Sequence, residues 1–90
     1  MTSLFCASKH GHSDTVRALL QRAEIDVNAQ SNRGTSALLF ACRNSHADAV
    51  RVLLEHAGVD VNLLNNAGES ALSRASTAAI RDLLTARGAR

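Results

Sequence analysis

The residues with the most evident chemical potential are a cysteine and two histidines near the start of the chain. Cys6 and His10 lie four residues apart, which would place them on one face of a helix, and His12 follows closely. Thiolate sulfur and imidazole nitrogen are zinc ligands, and a Cys–His pair can form a nucleophilic site. The sequence indicates no fourth metal ligand, no oxyanion site and no acid to orient the histidine. We therefore expect no metal, no cofactor and no enzymatic activity.

Composition predicts a single small folded domain. The 90 residues are 46% hydrophobic and 20% charged, and the only aromatic residues are Phe5 and Phe40. The core must therefore come mainly from Leu, Val, Ile and Ala, which suits close packing of helices. A net charge of +2 is too weak to attract nucleic acid or an acidic membrane by electrostatics alone, so neither is an expected partner.

Cysteine usage and hydropathy also bear on location. Cys6 and Cys42 lie within apolar stretches rather than in a regularly spaced framework, which predicts reduced thiols and not a secreted disulfide scaffold. No apolar run approaches the roughly 20 residues of a membrane span, and no signal peptide is evident. We expect an intracellular location, cytoplasmic or nuclear.

The sequence repeats itself with an offset of 34 residues. Residues 4–30 laid on residues 38–64 give twelve identities in 27 positions. A third copy begins at the same offset and then loses four residues after Ala75. The single domain of residues 1–90 thus divides into units of about 1–30, which lacks a leading turn, 31–64, and a shortened 65–90. A fixed period of this kind indicates a stacked array.

Each unit is predicted to hold two short helices. Ser36 and Ser70 are good N-cap residues for the first helix. The second helix carries apolar residues at i, i+3 and i+4, which form one face. Those apolar sets are Val16/Leu19/Leu20, Val50/Leu53/Leu54 and Ile80/Leu83/Leu84. Gly11 and Ser45 are predicted to take a left-handed backbone between the helices, and stacking of neighbouring units is expected to close the core.

Several stretches together resemble the ankyrin repeat family. They are Gly34-Thr35-Ser36-Ala37-Leu38-Leu39, Gly11-His12, Val50-Arg51-Val52-Leu53-Leu54 and Asp60-Val61-Asn62. The resemblance implies an all-α, ankyrin-type helix-turn-helix repeat solenoid of two to three stacked repeats with β-turn loops. The family's Pro is replaced by Ala37 and Ala71, and its His by Leu39 and Ser73, which is expected to weaken the coupling between repeats.

The resemblance also implies a binding surface, since the family binds partner proteins with its turn tips and the concave face of its first helices. By position, the tip residues are Asn32, Arg33, Thr35, Asn66 and Glu69. The first-helix residues are Lys9, His10, Arg43 and Asn44. All are polar, are expected to be exposed, and differ between copies while the apolar framework repeats. The alternative is that they are solvated turn residues without a partner.

Two asparagines raise a separate possibility. Asn28 and Asn62 end stretches that resemble the motif modified by asparaginyl hydroxylases in ankyrin repeats. The structural alternative, which we favour, is that each amide bonds the backbone of the adjacent repeat.

A row of arginines, Arg17, Arg51 and Arg81, also allows two interpretations. It could face an acidic partner. The favoured alternative is pairing with Asp14 and Asp48, each three residues before an arginine, as weak surface contacts.

Two functional hypotheses follow. The first is a protein-binding scaffold, one part of a longer polypeptide or assembly. The second is a structural spacer or a self-associating repeat unit, for which Leu4, Phe5 and Leu39 are candidate exposed apolar residues at a terminal repeat. Because about three repeats are the usual minimum for stability, we expect a low unfolding temperature.

Overall fold

The computed structural model describes residues 2–89, which form five short α-helices. Helix α1 spans Ser3–Lys9, α2 Ser13–Leu20, α3 Ala37–Arg43, α4 Ala47–Glu55 and α5 Ala78–Ala86. The β-structure found within this range is one isolated antiparallel bridge, between Gln30 and Ser36 at the base of a turn. The predicted all-α repeat solenoid with β-turn loops is confirmed.

The helices form two layers. Within the first two units, α1 packs against α2 and α3 packs against α4. Between units, the inner helices α1 and α3 pack together, while the outer helices pack in the order α2, α4, α5. Side chains from successive outer helices fill the space between units, and Val16, Val50, Leu53, Ile80 and Leu84 are fully buried. Each unit therefore completes its core with its neighbour's apolar face.

The third unit departs from the prediction of two helices. Its expected first helix is a short series of turns, although Ser70 still accepts a hydrogen bond from the Ser73 amide at 3.1 Å and its carbonyl accepts one from the Arg74 amide at 3.2 Å. The loss of four residues explains the difference. Only three residues separate Arg74 from Ala78, and Thr77 is already the N-cap of α5, where its hydroxyl accepts from the Ile80 amide at 3.2 Å.

Caps and turns fix the remaining helices. Ser36 is the N-cap of α3 as predicted, and its hydroxyl accepts from the Leu39 amide at 3.3 Å. Gly11 (φ 73°) and Ser45 (φ 64°) both adopt the predicted left-handed backbone between helices. A side chain at Gly11 would also overlap the imidazole of His46, so glycine is favoured there on two grounds.

The prediction that Leu4, Phe5 and Leu39 form an exposed apolar end of the stack is wrong. Leu4, Phe5 and Leu39 are only 3%, 3% and 1% exposed. They are covered because α1 packs against both α2 and α3, which closes the core even in the first unit. Cys42 is likewise buried, whereas Cys6 is exposed on α1.

In the part of the chain that the structure covers, no helix combines the length and the apolar character needed to cross a membrane.

Candidate functional site

A groove of about 580 Å³ lies between the turn at residues 31–35 and the inner helices α1 and α3. We call it the basic groove. Its lining residues are Thr2, Phe5, Lys9, Gln30, Ser31, Asn32, Arg33, Thr35, Phe40 and Arg43. Its volume falls in the range of about 300–1,000 Å³ that is usual for ligand sites. The groove brings five of the predicted binding residues to one place.

A second cavity, of about 390 Å³, continues the groove toward the third unit. It shares Arg33, Thr35 and Arg43 with the basic groove and adds Asn65, Asn66, Ala67 and Glu69. The two cavities form one concave surface across the first turn tip, the second turn tip and the ends of both inner helices. Of the predicted binding residues, His10 and Asn44 are the ones that line neither cavity.

Three cationic side chains define the charge of the basic groove. Lys9 and Arg43 lie in the last turns of α1 and α3, and Arg33 lies at the turn tip. The guanidinium of Arg43 also lies over the ring of Phe40, 5.4 Å from its centroid. Within residues 2–89, none of the three reaches ion-pair distance of a carboxylate, because the four salt bridges formed there join other residues. The basic groove is therefore positively charged and lacks an internal counter-charge.

Two aromatic rings form the floor of the basic groove. The rings of Phe5 and Phe40 have centroids 5.5 Å apart and are inclined at 46°. Sequence reasoning missed this pair because the 34-residue offset aligns Phe5 with Leu39 and Phe40 with Cys6. The only available signal was that these are the two aromatic residues of the chain and lie in successive first helices.

The turn tips are held together by hydrogen bonds between units. The Asn66 side chain donates to the carbonyl of Asn32 at 3.0 Å, and the Asn66 amide donates to the carbonyl of Arg33 at 2.9 Å. The Gln30 side chain donates to the carbonyls of Gly34 at 2.8 Å and Leu64 at 2.9 Å. These bonds fix the tip that carries Arg33, so that side chain extends from a constrained backbone.

Three of the predicted binding residues have structural contacts instead of free side chains. Thr35 was expected to be exposed, which is wrong: it is 4% exposed, because the chain turns inward there to begin α3. The Asn44 side chain donates to the carbonyl of Phe40 at 3.0 Å and caps α3. Glu69 accepts from the Asn65 side chain at 2.9 Å and pairs with Arg74 at 3.5 Å.

His10 lies in a different cavity, together with Cys6 and His12. This cavity has a volume of about 320 Å³, and the two imidazole centroids are 6.1 Å apart. No group of three or more His, Cys, Asp or Glu side chains between Thr2 and Ala89 has a geometry that could hold a metal ion. At the other cysteine, burial raises the pKa of the Cys42 thiol from 9.0 to about 12, so the thiolate is strongly disfavoured.

The structural interpretation of Asn28 is confirmed. Its side chain donates to the carbonyl of Gly58 at 2.8 Å and accepts from the amide of Asp60 at 2.7 Å, which joins the first unit to the second. Asn62 makes the corresponding contact one unit later, donating to the carbonyl of Gly88 at 3.4 Å. Modification of either asparagine stays a prediction.

Among the described residues, two members of the arginine row, but not Arg81, have the structural contacts that the sequence favoured. Arg17 lies 3.6 Å from Asp14, and Arg51 lies 3.0 Å from Asp48. All four side chains are more than half exposed, so these pairs contribute little to stability.

Stacked helix pairs joined by constrained turn tips, with a concave groove along the inner helices, define a helical repeat solenoid. The family described as ankyrin repeats, in three copies, matches residues 4–89. The chain belongs to the ankyrin repeat family.

Two solved structures show the same fold along the whole chain. The crystal structure of the human ASB11 ankyrin repeat domain is 26% identical, with a TM-score of 0.90. A chain from the complex of a Bdellovibrio bacteriovorus predatory endopeptidase with an immunity protein is 33% identical, with a TM-score of 0.88. Both comparisons cover 100% of this chain but only 41% and 48% of the other chains, so it spans less than half their length. No curated protein sequence matches the chain.

Proposed function

We propose that this chain is a protein-binding scaffold and that its partner lies across the basic groove and the adjoining cavity. The observation that supports the proposal is one concave surface lined by Lys9, Asn32, Arg33, Arg43 and Asn66, with Thr35 and Glu69 held in structural contacts at its wall. Ankyrin repeats are generally protein–protein interaction modules, and one structural neighbour comes from a protein complex.

The physical basis of binding is a preformed surface. Hydrogen bonds from Gln30 and Asn66 constrain the turn tip, so a partner need not spend binding energy on ordering it. The exposed arginines offer planar donors for carboxylates or backbone carbonyls, and arginine is enriched among residues that dominate protein interfaces. The two buried rings beneath give the groove a firm apolar floor.

Site-specific photo-crosslinking in cells that naturally express the chain tests the binding face. A photoreactive amino acid replaces Asn32 in the groove or, as the control, Asp82 on the exposed side of α5. We expect a discrete crosslinked partner from position 32, identified by mass spectrometry, and its absence from position 82. Equal crosslinking from both positions would contradict the proposed face.

Self-association is the competing hypothesis, and its predicted surface is buried. In the described residues, Leu64 is the one large hydrophobic side chain that is strongly exposed, at 53%. A single exposed leucine is ordinary for a protein surface and does not make an interface. Size-exclusion chromatography with light scattering should therefore give a monomer at all concentrations, whereas a concentration-dependent dimer would favour the alternative.

We also propose an intracellular, reducing location, which the two free cysteines support. Alkylation of thiols in intact cells before lysis would test it, since both Cys6 and Cys42 should be recovered as reduced thiols after denaturation. Recovery of Cys6 in a mixed disulfide would contradict the proposal.

A further inference from the structure

The charges of the basic groove point to a particular kind of partner. We propose that the basic groove binds an acidic peptide segment, with clustered Asp or Glu side chains of the partner paired to Lys9, Arg33 and Arg43. The inference rests on the proposed binding function and adds the chemistry of the partner to it.

The first argument is the absence of compensation inside the groove. Three cations line one cavity that has no carboxylate in its lining, although the whole chain carries ten basic and eight acidic residues. Elsewhere, Arg17, Arg22, Arg51 and Arg74 all have an acidic partner within 4 Å. Four of the six described basic residues outside the groove are therefore paired, the exceptions being Arg81 and Arg87, whereas all three within the groove are unpaired. Carboxylates from a partner would supply the missing counter-charges and steer its approach.

The second argument is the arrangement of the cations. Lys9 comes from α1, Arg33 from a turn tip and Arg43 from α3, so the three cations line the groove from three separate segments of backbone. Carboxylates spaced along a peptide could pair with cations distributed in this way. The guanidinium groups can also bind carboxylates through two parallel hydrogen bonds.

The third argument is that the charge changes along the concave surface. The adjoining cavity contains Glu69, which is already paired with Arg74 and bonded to Asn65. Additional carboxylates would meet a like charge there. The excess of positive charge is therefore greatest in the half of the surface formed by the first two units, and we expect the acidic part of the partner to lie there.

Selection from a library of random peptides displayed on phage tests the partner's chemistry without presupposing it. We expect the enriched peptides to carry clustered Asp and Glu. Synthetic copies of enriched peptides, labelled with fluorescein, are then measured by fluorescence anisotropy against matched double variants.

The groove variant is Arg33→Gln/Arg43→Gln, and the control is Arg17→Gln/Arg51→Gln on the outer helices. Each double exchange lowers the net charge by two, from +2 to 0, so both variants remove the same charge, from the groove in one case and from the outer helices in the other. Because the groove variant loses two exposed ion pairs with the peptide, we expect its affinity to fall by about 2- to 30-fold. The control should stay within about twofold of wild type. Thermal melts by circular dichroism establish that both variants are folded.

Salt supplies an independent readout. Raising ionic strength from about 0.02 M to about 0.5 M shortens the screening length several-fold and should weaken wild-type binding much more than binding by the groove variant. Enriched peptides without acidic residues would overturn the inference, as would failure of any peptide to be enriched. If such non-acidic peptides still lose affinity in the groove variant, the proposed binding face stands. Equal loss of peptide affinity in both variants would instead contradict the binding face. A single-stranded oligonucleotide that bound the groove more tightly than the enriched peptides would overturn the inference that the occupant is an acidic peptide.

Discussion

Replacing Ser8 with alanine should stabilise this protein, which is the opposite of the usual effect of a core substitution. Ser8 lies in α1, is 0% exposed, and its hydroxyl has no hydrogen-bond partner within the described residues. A buried hydroxyl that lacks a partner costs about 1–3 kcal/mol in lost hydration. Alanine removes that cost.

Two smaller effects accompany the change and nearly cancel. Alanine has a better helix propensity than serine, by roughly 0.5 kcal/mol, and Ser8 is inside a helix. The space left by one oxygen atom costs a few tenths of a kcal/mol, at about 24 cal/mol per Å³ of cavity. We therefore expect Ser8→Ala to raise the free energy of unfolding by about 1–3 kcal/mol. That corresponds to a rise in Tm of at least about 4 °C for a domain of this size.

Urea denaturation followed by circular dichroism measures this change, and two further variants isolate its cause. Ser3 lies in the same helix but is exposed, so Ser3→Ala should change the free energy of unfolding by less than about 0.5 kcal/mol. Cys42→Ser places a hydroxyl at the position that corresponds to Ser8 in the second unit, where burial is also complete, and should destabilise. If Ser8→Ala lowers stability, the Ser8 hydroxyl is making a bond in solution and the argument from desolvation is refuted.

Four further predictions concern hydrogen bonds, packing and the cysteines. Asn28→Ala should lower the free energy of unfolding by about 1–3 kcal/mol in urea denaturation, because it removes two hydrogen bonds between units; no loss would mean that water replaces them. Leu53→Ala should lower the free energy of unfolding by about 2–5 kcal/mol, because the side chain is fully buried. In so small a stack this should leave little or no folded protein by circular dichroism, and a cooperative melt near that of wild type would contradict the prediction. In the folded protein a thiol reagent should react quickly with exposed Cys6 and only after unfolding with Cys42. The pKa of Cys42 is about 12 in the folded protein, above its ordinary 9.0, so its contribution to stability is complete below pH 9 and declines as the pH rises toward 12. The decline is measured as the difference between wild type and Cys42→Ala across a pH series. Equal reactivity of the two thiols, or no decline in that difference, would contradict the burial of Cys42.

Periodicity predicted the outer helices well because burial imposes their pattern. Residues such as Val16, Val50 and Ile80 recur at matching positions because each faces the same inter-unit space, so identity in sequence reflects identity in packing. The left-handed turns at Gly11 and Ser45 were predictable for the same reason, since the backbone geometry repeats even where glycine does not.

Burial at the start of the stack was harder to predict. The sequence showed Leu4 and Phe5 at the beginning of the first unit, where an open end was expected, but not that α1 would be enclosed by α2 and α3. The period says which positions are equivalent and not how far a neighbouring helix covers them. Thr35 illustrates the same limit, because it is polar and precedes a helix cap yet is buried by the turn that leads into α3.

The charge of the basic groove follows a different rule from the core, and it connects the repeat to the proposed function. Lys9 and Arg43 occupy equivalent positions at the ends of α1 and α3, so positive charge repeats there although the residue does not. In the third unit the 34-residue offset ends after Ala75, before it reaches a counterpart of Arg43, and Thr77 is already the N-cap of α5. The deletion that replaces a helix with turns therefore also ends the row of cations. Selection for a charged groove would explain why the concave surface is basic along its first two units and carries Glu69 where the third begins.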